Sequence, residues 1–328
     1  MLARANFDQD SGANFATSHA RLFRALGRLP YRSLHRALLA LTWAETWLRY
    51  PLKTLSILDS VDETFSLLDP DGRRFGLTQK VRATFRKNLL YYQVCDLTVL
   101  LTSLEGSRTN RRALVVENEE VLLRERERGP GAIVAGFRIG AYPVVPWALA
   151  SLGVPVSMIV GGAPLVEAGR KLGDEFLPQS SKRIRFLSAR DPRALTRCLG
   201  SLNEGGLVCT LLELSPIDYA KTTEVQFLGW TIEVPYGIAY LGAATGRSIV
   251  PAILAREAGP RFRLRFGEPL PAPSRDRASI FQTTQQLYHA LEQEVLRLPE
   301  QWIGWTLLNS HLGIDLQTKL TATAPTLS

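Results

Sequence analysis

Residues 192–212 read PRALTRCLGSLNEGGLVCTLL, and this stretch contains the alternation that decides the fold. Its first part, Pro192 to Leu202, has apolar residues at helical spacing and ends at Glu204-Gly-Gly, which is a helix stop. The run Leu207 to Leu212 is apolar throughout and has the length of a strand buried on both faces. A helix followed by a buried strand is the repeating unit of a parallel α/β sheet.

The same alternation extends to both sides of this stretch. Strands are predicted at 132–136, 156–160, 184–187, 249–255 and 262–266, the last with the alternation of an edge strand. Helices are predicted at 117–128, 146–152, 237–245 and 279–298. We therefore predict the α/β class, with a mostly parallel central sheet flanked by helices.

The N-terminal third lacks this alternation and reads as helical. Arginines recur there at three- and four-residue intervals, at positions 21, 24, 28, 32 and 36. Such spacing puts them on one side of a helix, which is either a solvated face or a surface for a membrane, an acyl carrier or RNA. We expect a helical N-terminal extension packed on the core over residues 1–110, an α/β core over 111–310 and a flexible tail over 311–328.

The composition is that of an ordinary globular protein, with 45% hydrophobic and 21% charged residues and a net charge of +8. It excludes a disordered chain, a collagen, a coiled coil and a disulfide scaffold. The three cysteines and four histidines are scattered and show no zinc-site spacing, so we expect no metal and no cofactor. Neither a signal peptide nor an apolar run of about 20 residues is present. We expect a soluble cytoplasmic protein, with peripheral contact to the inner membrane as an option.

Several blocks in a fixed order carry a family resemblance. They are Val116-Glu-Asn-Glu-Glu-Val-Leu-Leu, Arg128-Gly-Pro-Gly-Ala-Ile-Val, Asn203-Glu-Gly-Gly-Leu-Val, Phe227-Leu-Gly, Gly246-Arg-Ser-Ile-Val-Pro and Leu298-Pro-Glu-Gln-Trp-Ile. Over roughly residues 75 to 310 the chain resembles the bacterial lipid A late acyltransferases (lauroyl and myristoyl transferases) of the lysophospholipid acyltransferase superfamily. The resemblance implies an acyltransferase-like fold and an activated acyl donor.

The resemblance fails at the motif that carries the family's chemistry, an H-x4-D/E pair of a general base and an orienting acid. With Gly140 aligned on the family glycine, Arg138 replaces the histidine and Pro143 replaces the acid. No histidine lies between His35 and His289. Because arginine stays protonated at neutral pH, it cannot act as the base. The chain also has no match to the family's N-terminal membrane helix.

Two residues are the candidate catalytic groups. Arg138, near the end of the first core strand, is suited to hold a carboxylate, a phosphate or an oxyanion; the alternative is a structural ion pair with a buried carboxylate. Glu213 follows the strongest buried strand and takes the place of a family aspartate. It is the candidate for acid/base work, or else a polar group in a loop.

The remaining candidates are weaker. As substrate-binding residues we predict Asp218, Tyr219, Lys221, Tyr236 and Arg256, the last of which falls on an arginine of the family. Cys209 lies inside a strand and is expected to be inert core. His289 and His311 match no family position.

These observations favour a soluble transferase that moves an activated acyl or aminoacyl group to a small nucleophilic acceptor in specialised metabolism, without the His–acid dyad. The donor is an acyl carrier protein, an acyl-CoA or an aminoacyl-tRNA, and no DNA partner is expected. The alternative from another class is a catalytically silent homologue that binds a lipid or a partner enzyme. An intact membrane-lipid acyltransferase with unusual catalysts ranks last.

Overall fold

The computed structural model describes residues 29, 31–49, 51–92, 96, 113–177, 181–212, 221–257 and 261–306. Before the sheet, the chain forms α1 (Tyr31–Arg49), α2 (Pro51–Leu68), α3 (Gln79–Lys87) and a π-helical turn, Asn88–Tyr92. The predicted N-terminal helical stretch before Leu29 lies outside the described residues. Among the described helices, none is long and apolar enough to cross a membrane.

In the described part of the chain, nine strands and six further α-helices follow. The strands are β1 (Leu114–Glu117), β2 (Ala132–Gly140), β3 (Val156–Val160), β4 (Ile184–Ser188), β5 (Leu207–Leu211), β6 (Thr222–Phe227), β7 (Trp230–Pro235), β8 (Ile249–Arg256) and β9 (Phe262–Phe266). The helices are α4 (Glu119–Arg128), α5 (Val145–Ala150), α6 (Ala163–Phe176), α7 (Ala194–Asn203), α8 (Gly237–Thr245) and α9 (Arg277–Arg297).

Seven of these described strands form one sheet in the order β1-β9-β8-β2-β5-β3-β4. The strands β8, β2, β5, β3 and β4 are parallel, whereas β9 runs antiparallel to β8. The mostly parallel α/β fold predicted from the sequence is therefore confirmed. The strands β6 and β7 form a separate antiparallel hairpin.

The prediction of an edge strand at 262–266 is wrong, because β1 pairs with β9 on its outer side. The alternation has another cause: the arginines of β9 are paired with carboxylates. Arg263 contacts Glu117 at 2.9 Å and Glu257 at 2.5 Å, and Arg265 is paired with Glu294. The polar face of β9 therefore results from its ion pairs and not from a place at the edge of the sheet.

The central strand β2 is covered on both faces, which explains its continuous apolar run. On one face, Phe137 and Ile139 lie in a buried core with Trp302. On the other face, Val134 lies in a second core that includes Leu34 of α1. The N-terminal helices therefore complete the two layers that cover the sheet.

The turn after α2 is organised by the buried carboxylate of Asp69. Its oxygens accept the backbone N–H groups of Arg74 at 2.9 Å and of Phe75 and Leu77 at 3.0 Å. The Arg82 guanidinium donates to the Asp69 carbonyl oxygen. The Asp69-Pro-Asp-Gly stretch, which has the residue types of a turn, thus anchors the segment that leads into α3.

We predict that Asp69→Ala lowers the free energy of unfolding by about 3 kcal/mol, because it leaves buried N–H groups without an acceptor. The matched control is Asp71→Ala, two residues away and exposed, which should change stability by less than about 0.5 kcal/mol. Urea unfolding of both variants measures the difference. Equal effects of the two substitutions would contradict the anchoring role.

Candidate active site

The carboxyl end of β2 contains a bulge at the centre of the sheet. Gly136 is paired with Ala252 of β8, and the next pairing joins Gly140 to Leu254, so three residues of β2 lie opposite one residue of β8. Arg138 is the middle residue of this bulge. Open α/β sheets bind ligands outside the carboxyl ends of their strands. A bulge at such an end changes the direction in which a side chain points.

The segment Pro299–Ile303, here called the closing block, fixes this bulge to the end of β8. The Gln301 side chain accepts the backbone N–H of Arg256 at 2.8 Å and donates to the Arg256 carbonyl oxygen at 2.9 Å. Trp302 forms a bridge with Ile139, and the Ile303 N–H donates to the Arg138 carbonyl oxygen at 3.4 Å. The closing block therefore holds the backbones of Arg138 and Arg256 side by side.

Gly140 is the point of closest approach in this arrangement. A Cβ atom at Gly140 would lie 2.5 Å from the Leu254 carbonyl oxygen, 2.9 Å from Gln301 Oε1 and 3.0 Å from Ala255 Cα. Its φ of 61° is also in the left-handed region. Only glycine fits both the backbone conformation and the space.

Tryptophan rings support the closing block from the core side. Trp302 and Trp305 pack edge to face with their ring centroids 4.7 Å apart, and both are 1% exposed. The Trp305 Nε1–H donates to the Pro299 carbonyl oxygen at 2.8 Å, and the centroid of the Phe227 ring lies 5.5 Å from that of Trp302. This packing accounts for the Pro-Glu-Gln-Trp pattern that the sequence singled out.

The side chain of Arg138 is partly exposed at this edge. Its guanidinium lies 5.9 Å from the centroid of the Tyr142 ring, which is within cation–π range. An arginine offers planar, charged donors at a fixed place and cannot take up a proton at neutral pH. The chemistry that this position supports is the stabilisation of negative charge.

Arg256 has internal partners for its charge. Its guanidinium pairs with the fully buried carboxylate of Asp96 and donates to Asn88 Oδ1, and its side chain is 11% exposed. Burial raises the pKa of the Asp96 carboxyl, and the charge and hydrogen bond of Arg256 oppose that rise. Arg256 thus makes an ion pair with a buried carboxylate, the arrangement that we considered for Arg138. A substrate-binding role for Arg256 stays a prediction.

His35 lies on the N-terminal helix α1. Leu34 and Leu38 of the same helix are buried at 0% and 1% exposure, in the core that also contains Ala141 and Leu254 at the ends of β2 and β8. Burial lowers the pKa of the His35 imidazole, and the charge of Arg256 lowers it further. The neutral imidazole therefore dominates at neutral pH. The sequence analysis missed this residue.

Two predicted binding residues lie near the start of α8. The centroid of the Tyr236 ring lies 5.3 Å from that of Phe281, and Lys221 Nζ lies 5.3 Å from the centroid of the Tyr240 ring. The structure gives both a packing role, and their substrate contacts stay predictions. Glu213, Asp218, Tyr219 and His311 lie outside the described residues.

The other candidate nucleophiles and ligands have ordinary structural surroundings. Burial raises the pKa of Cys209 to about 12 and that of Cys198 to about 11, so both thiols stay protonated. The exposed His289 lies 3.5 Å from Glu292 on the same helix. Within the described ranges, no group of three His, Cys, Asp or Glu side chains is arranged to hold a metal ion.

The model of the bacterial lipid A biosynthesis acyltransferase family matches residues 170–307. The predicted family resemblance is confirmed over this segment. The segment contains Arg256 and the closing block, whereas Arg138 precedes it. No curated protein matches the chain. The family match supports acyltransferase-like activity in general, with an acyl donor and an acceptor as substrates.

We predict that Gly140→Ala destabilises the fold by about 3 kcal/mol, from the left-handed backbone and the clash with β8 together. Gly153→Ala is the matched control, since Gly153 also has positive φ but no described atom lies within 4 Å of an added Cβ atom there. The Gly153→Ala variant should lose only about 1 kcal/mol of unfolding free energy. Thermal or urea unfolding measures the stability of both variants. Equal losses of stability would show that β2 does not approach Gln301 and β8 closely.

Proposed function

We propose that this chain is a soluble acyltransferase that moves an activated acyl or aminoacyl group to a small nucleophilic acceptor in specialised metabolism, without the family His–acid dyad. The donor is an acyl carrier protein, an acyl-CoA or an aminoacyl-tRNA. The observation that carries the proposal is the position of Arg138, a partly exposed cation in the bulge of the central strand, with its backbone bonded to the closing block.

The chemistry at this position needs charge stabilisation more than proton abstraction. A thioester or ester donor is already activated, and an amine or hydroxylamine attacks it without a strong base. Attack places negative charge on the carbonyl oxygen of the donor. A guanidinium fixed beside that oxygen stabilises the charge, and the strand ends hold donor and acceptor together.

The other proposed residues have supporting roles. Arg256, with its charge balanced by Asp96, positions the end of β8 next to Arg138. Glu213 acts as the acid or base for the departing group, and Asp218, Tyr219, Lys221 and Tyr236 contact the substrates.

Peripheral membrane contact is part of the proposal, with a cytoplasmic location. The corner between α1 and α2, where the Thr54 hydroxyl reaches the Thr46 carbonyl oxygen at 3.3 Å, presents apolar side chains to solvent. Leu48 is 80% and Leu52 is 81% exposed. Exposed leucines beside a basic helix favour the surface of an anionic membrane.

A second candidate is a catalytically silent homologue that binds a lipid or a partner enzyme. The observation that favours it is the internal pairing of Arg256 with Asp96 and Asn88, because this arginine of the family block has its charge balanced within the protein.

Donor consumption by the purified protein tests the proposal. Acyl carrier protein, acyl-CoA and aminoacyl-tRNA donors are each incubated with hydroxylamine, and mass spectrometry follows the donor and the acylated product. We predict that wild type consumes one donor class and that Arg138→Ala slows this by about 10²- to 10³-fold, the cost of losing an oxyanion donor. Glu213→Gln should also reduce the rate.

Arg73→Ala is the control, because Arg73 is an exposed arginine outside the site. It should leave the rate unchanged. If wild type consumes none of the three donor classes, the result favours the catalytically silent homologue. If wild type and Arg138→Ala consume the donor at the same rate, Arg138 has no role in the transfer step.

A further inference from the structure

The aromatic ring of Tyr142 lies beside the cation that the proposed mechanism uses. The Arg138 guanidinium is 5.9 Å from the centroid of this ring. Tyr142 is 5% exposed and belongs to the buried core that contains Phe137, Ile139 and Trp302. The interior of the protein therefore holds the ring in place, while the Arg138 side chain is partly exposed at the edge of the sheet.

The backbone that carries Tyr142 is fixed to strand β8. Just before Tyr142, the Ala141 N–H donates to the Leu254 carbonyl oxygen at 2.8 Å. Just after it, the Val144 N–H donates to the Ala141 carbonyl oxygen at 3.0 Å and forms a short 3-10 turn. Arg138 lies shortly before this turn, on a backbone that is bonded to the closing block. Backbone hydrogen bonds thus fix the positions of both residues.

An arginine that stabilises an oxyanion must stay close to the place where the charge develops. Its long side chain can adopt many rotamers, so the surrounding residues have to restrict it. The face of an aromatic ring attracts a guanidinium through the negative charge density of the ring. This contact restricts the cation and uses none of its N–H donors, whereas a carboxylate partner would occupy some of them.

We propose that Tyr142 is a positioning residue for acyl transfer, whose ring face holds the Arg138 guanidinium at the carboxyl end of β2. This inference rests on the proposed function. The ring exchanges no proton and forms no covalent bond. It acts through Arg138, which stabilises the negative charge on the carbonyl oxygen of the donor.

The effect of the ring should appear in kcat and not in KM. The donor carbonyl is neutral when it binds, and the negative charge that Arg138 meets develops only during attack. A residue that places Arg138 for this charge therefore changes the transition state more than the bound ground state.

The experiment measures kcat and KM with hydroxylamine and whichever donor class wild type consumes. Tyr142→Leu removes the aromatic face, so kcat should fall about 3- to 30-fold while KM stays within about twofold. Tyr142→Phe keeps the ring and should retain at least about half of kcat. When Arg138→Ala is already present, adding Tyr142→Leu should cause no further fall in kcat.

A series of fluorinated phenylalanines at position 142 tests the ring face without changing its shape. Fluorine atoms withdraw electrons and weaken the negative face, so kcat should fall stepwise as their number rises. The series also serves if Tyr142→Leu does not fold. A kcat that is the same throughout the series overturns the inference.

Tyr288→Leu is the matched control, because it removes the same ring from the same core, where Tyr288 packs against Phe227 with ring centroids 6.0 Å apart. It should leave kcat within about twofold of wild type. Equal falls in kcat for Tyr142→Leu and Tyr288→Leu overturn the inference, since they would show general damage to the core.

Two further results would contradict the role of the ring while the enzyme remains active. Tyr142→Phe that is as slow as Tyr142→Leu would show that the hydroxyl group is needed instead of the ring face. A further fall in kcat on adding Tyr142→Leu to Arg138→Ala would show that the ring does not act through Arg138. A wild type that consumes no donor overturns the proposed function, and this inference with it.

Discussion

The Gln301 side-chain amide is the interaction on which the edge of the sheet depends. Its two hydrogen bonds to the Arg256 backbone continue the β8 ladder onto the closing block. The same amide oxygen occupies the space beside Gly140, so the bulged end of β2 must approach without a Cβ atom. Trp302 then pairs with Ile139 from within a buried aromatic core. The Gln301 side chain, supported by the buried aromatic core, thus determines where β2 and β8 end.

Two arginines, Arg138 and Arg256, lie near these strand ends. Arg256 is almost buried, and Asp96 neutralises its charge, so breaking that pair would leave a charge without compensation in the interior. Arg138 is partly exposed and lies within cation–π range of an aromatic ring. The pairing with Asp96 suits Arg256 to hold the architecture, and Arg138 is the arginine that we propose meets negative charge on a ligand. The family resemblance alone would not separate these roles.

Local periodicity was enough to predict most of the core. The strands at 156–160 and 262–266 and the helix at 237–245 have the bounds read from the sequence, because buried strands and capped helices leave a continuous local pattern. The hairpin β6–β7, strand β1 and helix α6 were missed. The short β1 is only partly buried. The hairpin does show the alternation of polar and apolar residues that predicts strands, and this signal was not used.

The site was less accessible to sequence reasoning than the fold. The motif comparison led to Arg138, Arg256 and the closing block, since each lies in or beside one of the sequence blocks that resemble the family. It did not lead to Asp96 or His35, because their partners are far away in the chain and no local pattern records the contact. His35 follows a buried leucine and reads as an ordinary helix position until α1 is packed on the sheet.

A crystal structure with a non-hydrolysable donor analogue, in which a ketone replaces the thioester of an acyl-pantetheine, would locate the reacting carbonyl directly. We predict that its oxygen lies about 3 Å from the Arg138 guanidinium, at the carboxyl end of β2. A carbonyl bound elsewhere, with Arg138 paired to a carboxylate of the protein instead, would contradict the role of Arg138 in acyl transfer.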